Sequence, residues 1–164
     1  MSISSGPRPM RIYLDHNATS PLHPAARGAM QDWLIAGHGN PSSVHGVGRR
    51  ARAQLERARR AVAAALDCEP LEVTFTAGGT ESDALGILGT LRALRARTRP
   101  SGLLTSPLEH PAVRGSAERW LAEGGEVCWV EVDAHGCISP EAVQRALRSM
   151  AQPGLMSLAL VNHE

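Results

Sequence analysis

The segment TAGGTESD, Thr76 to Asp83, has the composition of a turn that could bind an anion. It follows the short apolar run LEVTF and precedes ALGILGTLRALRAR, in which apolar residues recur at helical spacing. The first backbone N–H groups of a helix lack partners within the helix and carry the positive end of its dipole. Gly78 and Gly79 have no Cβ atom to hold a phosphate away, and the Thr80 hydroxyl offers a further donor.

Two common nucleotide motifs are excluded by the letters of this turn. A P-loop places Gly-Lys-Ser/Thr after its glycines, and a dinucleotide fingerprint requires Gly-x-Gly-x-x-Gly; AGGTESD contains neither. The alternative to an anion site is a helix that Thr80 caps. Glu81 and Asp83 would then lie near its start because the helix dipole stabilises acidic side chains there. The turn alone leaves both interpretations open.

The composition is that of one globular domain with a core of its own: 164 residues, of which 43% are hydrophobic and 20% charged. The formal net charge of +1 gives no general attraction to nucleic acid or to an anionic membrane. All 17 residues in the lysine and arginine class are arginines, so the sequence contains no lysine. Cofactor chemistry that begins with a lysine amine cannot be completed by this sequence alone.

Strand and helix patterns alternate from LEVTF onward, which predicts an α/β fold with a parallel or mixed sheet and crossover helices. The predicted strands are Glu72–Thr76, Leu103–Ser106, Glu126–Val132 and Leu155–Val161; the predicted helices between them are Thr80–Arg97, Pro111–Glu123 and Pro140–Met150. Upstream, VGRRARAQLERARRAVAAAL predicts a long amphipathic helix with its arginines on a solvated face. Only NHE follows the last strand, where an α/β protein normally has a functional loop and a helix, so we expect a truncated or split chain.

The sequence has neither an N-terminal signal peptide nor a run of ~18 apolar residues, so we expect a cytoplasmic protein without a membrane partner. The cysteines, Cys68, Cys128 and Cys137, lack the close pairing of a zinc or redox motif. We expect them to be reduced, with Cys128 buried in a strand, and we expect no metal site.

Four separated stretches resemble the cysteine desulfurases, pyridoxal-phosphate enzymes of the class V aminotransferase group. The stretches are YLDHNATSPLHP, GNPSSVH, FTAGGTESD and LEHPAV, which begin at Tyr13, Gly39, Phe75 and Leu108. In order and spacing they are similar to the first half of such an enzyme. The resemblance implies part of the large domain of a fold-type I pyridoxal-phosphate enzyme. The expected organisation is a disordered tail over 1–10, a segment near the active site and dimer interface over 11–45, and an incomplete cofactor-binding domain over 46–164.

The resemblance implies roles for three residues in two of these stretches. The family's turn at GGT binds the cofactor's phosphate, which implies that Gly79 and Thr80 donate hydrogen bonds to it. The family's histidine at LEHPAV stacks on the pyridine ring and moves protons, which implies a cofactor-binding and catalytic role for His110. Imidazole suits both tasks, because it is flat and titrates near neutrality. Without the resemblance, His110 is more simply the N-cap of a helix that begins at Pro111.

The resemblance also implies contacts at the end of the chain and near residue 40. The family usually has Val-Asn-Asn-Glu where this sequence has VNHE, and its second asparagine contacts the ring hydroxyl of the cofactor. That position is His163, which can also donate to a phenolate oxygen; Asn162 takes this role if the register differs, and the alternative is a loose terminal His163. Asn40 is implied as a substrate contact, and its alternative is an Asn-Pro turn that starts the following helix.

The family's chemistry needs groups that this sequence lacks. In the family, the lysine that links to the cofactor, the aspartate on the pyridinium nitrogen, the arginine on the substrate carboxylate and the sulfur-accepting cysteine all come later in the chain. The sequence is therefore interpreted as the N-terminal half of a homodimeric enzyme that takes sulfur from L-cysteine as a persulfide, leaves alanine and supplies a sulfur-acceptor scaffold. Alone it is expected to be inactive, needing the C-terminal half or a second desulfurase subunit. The alternatives are a non-catalytic binding partner and a relative such as a selenocysteine lyase or an aminotransferase.

Overall fold

The computed structural model describes residues 12–16 and 18–161. By its contacts the chain divides into two units, of which the first ends at Thr74 and the second begins at Phe75. The expected boundary between residues 45 and 46, which separates the segment near the active site from the cofactor-binding domain, stays a prediction. The predicted tail over 1–10 lies outside the described residues, as do Asn162 and His163.

The first unit is helical. Helix α1 covers Pro24–Ala36, helix α2 covers Gly46–Leu66, and a 3-10 turn covers Pro70–Glu72. Helix α2 confirms the long amphipathic helix predicted there, whereas α1 was not predicted. The buried positions of α2 include Ala51 and Ala63, and α2 ends where Asp67 takes a left-handed conformation with φ of 51°.

The strand predicted over Glu72–Thr76 is wrong. The 3-10 turn occupies the start of this segment, and the chain then continues without regular structure through Thr76. The carbonyl oxygen of Val73 accepts a hydrogen bond from the guanidinium of Arg59. Apolar and β-branched residues form a strand only where a neighbouring strand satisfies their backbone groups, and no strand among the described residues pairs with this segment.

In the part of the chain that the structure describes, the second unit contains a parallel sheet of three strands, which confirms the predicted α/β class. Strands β1 (Gly102–Thr105), β2 (Val127–Trp129) and β3 (Pro153–Met156) have the order β2-β1-β3. Leu103 of β1 lies opposite Val127 on one side and Leu155 on the other. Strand β2 is shorter than predicted. Strand β3 begins and ends earlier than predicted, because its pairing with β1 starts where Pro153 lies opposite Gly102 and ends where Met156 lies opposite Leu104, followed by one bond from Ser157 N–H to the Leu104 carbonyl.

The helices of the second unit lie close to their predicted bounds. A continuous helical segment consists of α3 (Gly79–Ala84), a π turn (Leu85–Gly89) and α4 (Thr90–Ala96), and it is followed by α5 (Pro111–Ala122) and α6 (Pro140–Ser149). The sequence predicted the whole segment as one helix and did not predict the π turn. Such turns are rare and often occur near functional sites.

Strand β1 separates two apolar clusters. Leu103 packs with residues of α4, α5 and the π turn, namely Ile87, Leu91, Val113, Ala117 and Trp120. Leu104 packs on the other face, with Val130, Ala142, Ala146 and Met150. Leu103 and Leu104 face opposite sides because successive side chains of a strand point to opposite faces of the sheet. The connection from β1 to β2 and the connection from β2 to β3 cross the sheet in opposite directions, so with the same handedness they place α5 and α6 on opposite faces.

Candidate functional site

The amino end of α3 has no side-chain cap. Gly78 is the N-cap residue, and no side chain in the described part of the chain accepts a hydrogen bond there. Thr80 is exposed and does not cap the helix, so the alternative interpretation of this residue is wrong. The carboxylate of Glu81 accepts instead from the backbone N–H of Ala77, at 2.6 Å. The first N–H groups of α3 therefore stay available to an external acceptor.

The space over Gly78 and Gly79 is open. A Cβ atom added to either glycine would meet no other atom of the described residues within 4 Å, and Gly78 has an extended φ of 168° that any residue can adopt. Neither crowding nor a left-handed backbone requires glycine here. The consequence of having two glycines is an unobstructed approach to the N–H groups at the start of α3, which suits an anionic ligand.

Side-chain contacts fix the shape of this turn. The hydroxyl oxygens of Thr76 and Ser82 lie 2.6 Å apart, and the Thr76 hydroxyl also donates to the carbonyl oxygen of Gly78, at 3.2 Å. The Gly78 carbonyl accepts a second bond, from Ser82 N–H, at 3.1 Å. These bonds connect the chain before the turn to the first turn of α3, so the open helix end is held in place before any ligand arrives.

His110 is the N-cap of α5, as the simpler interpretation predicted. Its Nδ1 accepts from the backbone N–H of Ala112, at 3.1 Å, and the residue is exposed. An accepting Nδ1 carries no proton, so the neutral ring carries its proton on Nε2. His23 and His45 cap α1 and α2 in the same way, so the cap by itself does not mark a catalytic histidine.

The amino ends of α3 and α5 lie at the same edge of the sheet. Arg92 and Arg95 of α4 both donate to Glu123, which directly follows α5, so the segment from α3 to α4 runs parallel to α5. Helix α5 begins just after the carboxyl end of β1, and α3 packs against α5. The glycine turn and His110 are thereby brought to the carboxyl edge of a parallel sheet, which is where α/β proteins usually bind ligands.

Glu109 is a site residue that the sequence did not reveal. Only 6% of its surface is exposed, and its carboxylate accepts from the backbone N–H of Ala159, at 2.5 Å. Burial raises the pKa of this carboxyl, the bond from Ala159 partly offsets that rise, and the charge of nearby Asp83 adds to it. The sequence offered one signal, since Glu109 directly precedes the candidate histidine His110. The burial of Glu109 was not predictable from it, because the carboxylate is bound by Ala159, 50 residues later in the chain.

Asn40 belongs to the first unit and forms the predicted Asn-Pro turn. Its Oδ1 accepts from Ser42 N–H, at 2.8 Å, and its carbonyl oxygen accepts from Ser43 N–H, at 3.0 Å. A Cβ atom on Gly48 would clash with the carbonyl oxygen of Ser43, so the turn packs tightly on the start of α2. The Asn40 side chain is exposed, and its contact with substrate stays a prediction.

Two clefts flank the sheet at opposite edges. One of about 510 Å³ adjoins Ser106 and Ala159 near the carboxyl ends of the strands, and it is lined mainly by apolar side chains such as Leu108, Val143 and Leu158. The other, of about 450 Å³, lies at the amino ends of the strands and is more polar. Only the first adjoins the candidate site.

Neither metal nor membrane features occur among the described residues. No group of three or more metal-ligating side chains is found there, and no described helix is long and apolar enough to cross a membrane. Cys68, Cys128 and Cys137 are free. Cys128 lies in β2 as predicted, although it is half-buried rather than buried.

A family model described as aminotransferase class V matches residues 12–164. The chain belongs to the class V aminotransferase family. Among curated relatives, an IscS-like cysteine desulfurase of Mycobacterium tuberculosis is 43% identical over 93% of this chain and 39% of its own length. A cysteine desulfurase of Homo sapiens is 36% identical over 97% of this chain and 34% of its own length. This class V chain therefore spans between one third and two fifths of the length of these relatives.

Solved structures of similar proteins agree with this membership. A NifS-like protein superposes with a TM-score of 0.78 at 32% identity, over 94% of this class V chain and 42% of that protein. SspA, solved in complex with cysteine, superposes with a TM-score of 0.75 at 28% identity, over 93% of this chain and 43% of its own. The fold described above is therefore that of the corresponding part of the NifS-like proteins.

Proposed function

We propose that this chain supplies the phosphate-binding turn and the ring-stacking histidine of a pyridoxal-phosphate-dependent cysteine desulfurase. The relatives named as cysteine desulfurases support the reaction, and the structural relative solved with cysteine supports the substrate class. The observation that carries the proposal is the uncapped amino end of α3 under two glycines that no contact or backbone conformation among the described residues requires.

The turn fits the phosphate of pyridoxal 5'-phosphate. The N–H groups of Gly79 and Thr80 belong to the first turn of α3, and the exposed Thr80 hydroxyl can add a third donor. The nearby carboxylate of Glu81 is engaged by Ala77 N–H, which keeps it out of competition for these donors. An anion at this end of α3 also gains from the helix dipole.

His110 would contribute the face of its ring and the proton on Nε2. When bound, the cofactor supplies an electron sink for bonds at the Cα atom of an amino-acid substrate. With Nδ1 committed to the Ala112 N–H, Nε2 is the hydrogen-bond donor, and a second proton on Nδ1 would break the cap of α5. Asn40 is proposed to contact the substrate, and His163 or Asn162 to contact the ring hydroxyl.

Turnover requires a lysine, and this sequence contains none. We propose that the lysine and the sulfur-accepting cysteine come from further sequence or from a second subunit, and that the active enzyme is a homodimer that passes sulfur to an acceptor scaffold. The second candidate, a non-catalytic protein that binds the cofactor phosphate or a desulfurase subunit without turnover, requires no lysine.

Titration of the isotope-labelled chain tests the phosphate site. Pyridoxal 5'-phosphate and inorganic phosphate are expected to shift the amide resonances of Gly79 and Thr80, whereas pyridoxal without its phosphate is expected to leave them unchanged. Thr80→Val is expected to weaken binding by about tenfold, the loss of one hydrogen bond to a charged group. Thr90→Val, at an exposed position farther along the same helical segment, is the matched control. Unchanged amides at 79 and 80 would refute the site.

An activity assay separates the two candidate functions. The chain should be expressed with the coding sequence downstream of Glu164, or mixed with a lysine-bearing second half, and supplied with L-cysteine and a dithiol reductant. The dithiol reduces the enzyme persulfide and releases its outer sulfur as sulfide, so sulfide and alanine can both be measured. The desulfurase proposal expects both products in equal amounts. Turnover of selenocysteine or another amino acid alone would contradict the substrate assignment, and phosphate binding without any turnover would favour the non-catalytic role.

A further inference from the structure

Glu109 is an unusual residue to find buried at this position. Its carboxylate is almost inaccessible to solvent, and among the described residues no arginine or histidine forms an ion pair with it. Placing a carboxylate in such a setting is unfavourable unless hydrogen bonds or a function compensate. An apolar side chain would fill the same space without this penalty, so packing alone does not account for a glutamate.

The carboxylate connects segments that are distant in sequence. Its one hydrogen bond among the described residues comes from Ala159 N–H, in the chain that leaves β3. Its own backbone continues directly into His110 and the start of α5. Asp83 of α3, just beyond the glycine turn, is close enough to influence it electrostatically. The chain after β3 and the loop that bears His110 therefore meet at one side chain, and α3, which packs against α5, lies nearby.

Each of these segments carries a proposed cofactor contact. Helix α3 begins with the turn at Gly79 and Thr80, α5 is capped by His110, and Ala159 precedes Asn162 by three residues in the sequence. A hydrogen bond that a backbone N–H donates to a carboxylate is directional and stronger than a bond between neutral groups. It can therefore hold the chain after β3 at a fixed distance from the loop that bears His110.

We infer that Glu109 is a positioning residue, whose bond to Ala159 N–H aligns the chain after β3 with the loop that carries His110. The link between this bond and catalysis rests on the proposed function, because only that function makes His110 a cofactor contact. The bond itself can be tested without cofactor, so failure of the one can be told apart from failure of the other.

Hydrogen exchange and the ring signals of His110 provide the test in the isotope-labelled chain. Glu109→Ala is expected to speed exchange at the Ala159 amide by about tenfold, the equivalent of one hydrogen bond. The same variant is expected to shift the His110 ring resonances. Glu109→Gln, which keeps an acceptor oxygen, is expected to restore slow exchange while the Ala159 amide proton moves upfield, because the charge is gone. Glu118→Gln, on the exposed side of α5, is the matched control and should change neither signal.

The outcomes divide clearly. Unchanged Ala159 exchange in Glu109→Ala overturns the inference, and so does an equal gain in exchange at the core amides of β1, since that would mean global destabilisation. If Glu109→Ala does not fold, Glu109→Gln decides: an Ala159 amide proton that does not move overturns the inference. Failure of the amides at 79 and 80 to respond to pyridoxal 5'-phosphate would refute the proposed function and leave the Glu109 bond standing.

Discussion

Replacing Trp120 by phenylalanine tests whether the first apolar cluster holds α5 against β1 and the segment from α3 to α4. Trp120 is fully buried on α5. Its indole Nε1 donates to the carbonyl oxygen of Ser101, at 3.1 Å, and the guanidinium carbon of Arg95 lies 3.7 Å from the ring centroid. The indole thus joins α4, α5 and the entry to β1 in a single contact region.

The expected loss follows from these contacts. Phenylalanine keeps most of the apolar volume, so the change is well below the ~3–5 kcal/mol typical of a core Trp→Ala substitution. Losing the indole hydrogen bond removes about 1 kcal/mol, and the void left by the smaller ring removes about 1 kcal/mol more. The cation–π contact with Arg95 is partly retained. We therefore expect the free energy of unfolding to fall by about 2 kcal/mol.

Urea unfolding followed by far-ultraviolet circular dichroism measures this change without relying on tryptophan emission. Trp129→Phe is the control, since Trp129 lies in β2 and 39% of its surface is exposed. It is expected to change the free energy of unfolding by less than about 0.5 kcal/mol. A loss below about 0.5 kcal/mol for Trp120→Phe, or equal losses in the two variants, would refute the role assigned to the indole.

Three further substitutions address other parts of the chain. Gly48→Ala should remove about 1–3 kcal/mol of stability by driving a methyl group into Ser43, as measured by thermal unfolding. Glu123→Gln should lower the melting temperature above pH 4.5 but not near pH 2. The guanidinium groups of Arg92 and Arg119 bind this carboxylate and lower its pKa from 4.5 to about 2, so its stabilisation is present above pH 4.5 and is lost as the pH falls to the lowered pKa. His110→Ala should lose about 1 kcal/mol with the cap of α5, and His110→Asn, which can still cap, should recover most of that loss in urea unfolding.

Each of these three has a contradicting result. Gly28→Ala is the control for Gly48, because a methyl group there would meet nothing within 4 Å, and equal effects of the two would be inconsistent with the clash. For Glu123, melting temperatures of variant and parent that differ by the same amount at pH 2 and pH 6 would disprove the ion-pair origin. For His110, an asparagine variant as unstable as the alanine variant would mean that the cap contributes little.

The sequence predicted best those features that depend on neighbouring residues. Helices α2, α5 and α6 follow from apolar periodicity, and Pro111 and Pro140 mark the first positions of α5 and α6. The glycine turn was recognised from two adjacent glycines between an apolar run and a helix. Each of these signals lies within about one or two helical turns of the structure that it specifies, so local physics suffices to read it.

The sequence failed where structure depends on distant partners. The segment Glu72–Thr76 has the composition of a strand but pairs with no strand among the described residues, and the bounds of β3 are set by its pairing with β1. The π turn within the segment from α3 to α4 was not predicted. Gly86 and Gly89 lie in it, but glycine also occurs in ordinary loops and helices, so these residues do not indicate a π turn. Pairing and burial are decided by the whole chain, not by local composition.

By itself, the sequence determined the α/β class, the positions of the turn and of His110, and the lack of any lysine. Only the tertiary structure decided that the amino ends of α3 and α5 share one edge of the sheet and that Thr80 leaves the helix end uncapped. It also decided that Glu109 is buried against Ala159, 50 residues later in the chain. The physical reason is that a helix signal is local, whereas burial and hydrogen bonding of a side chain depend on which distant segments fold against it.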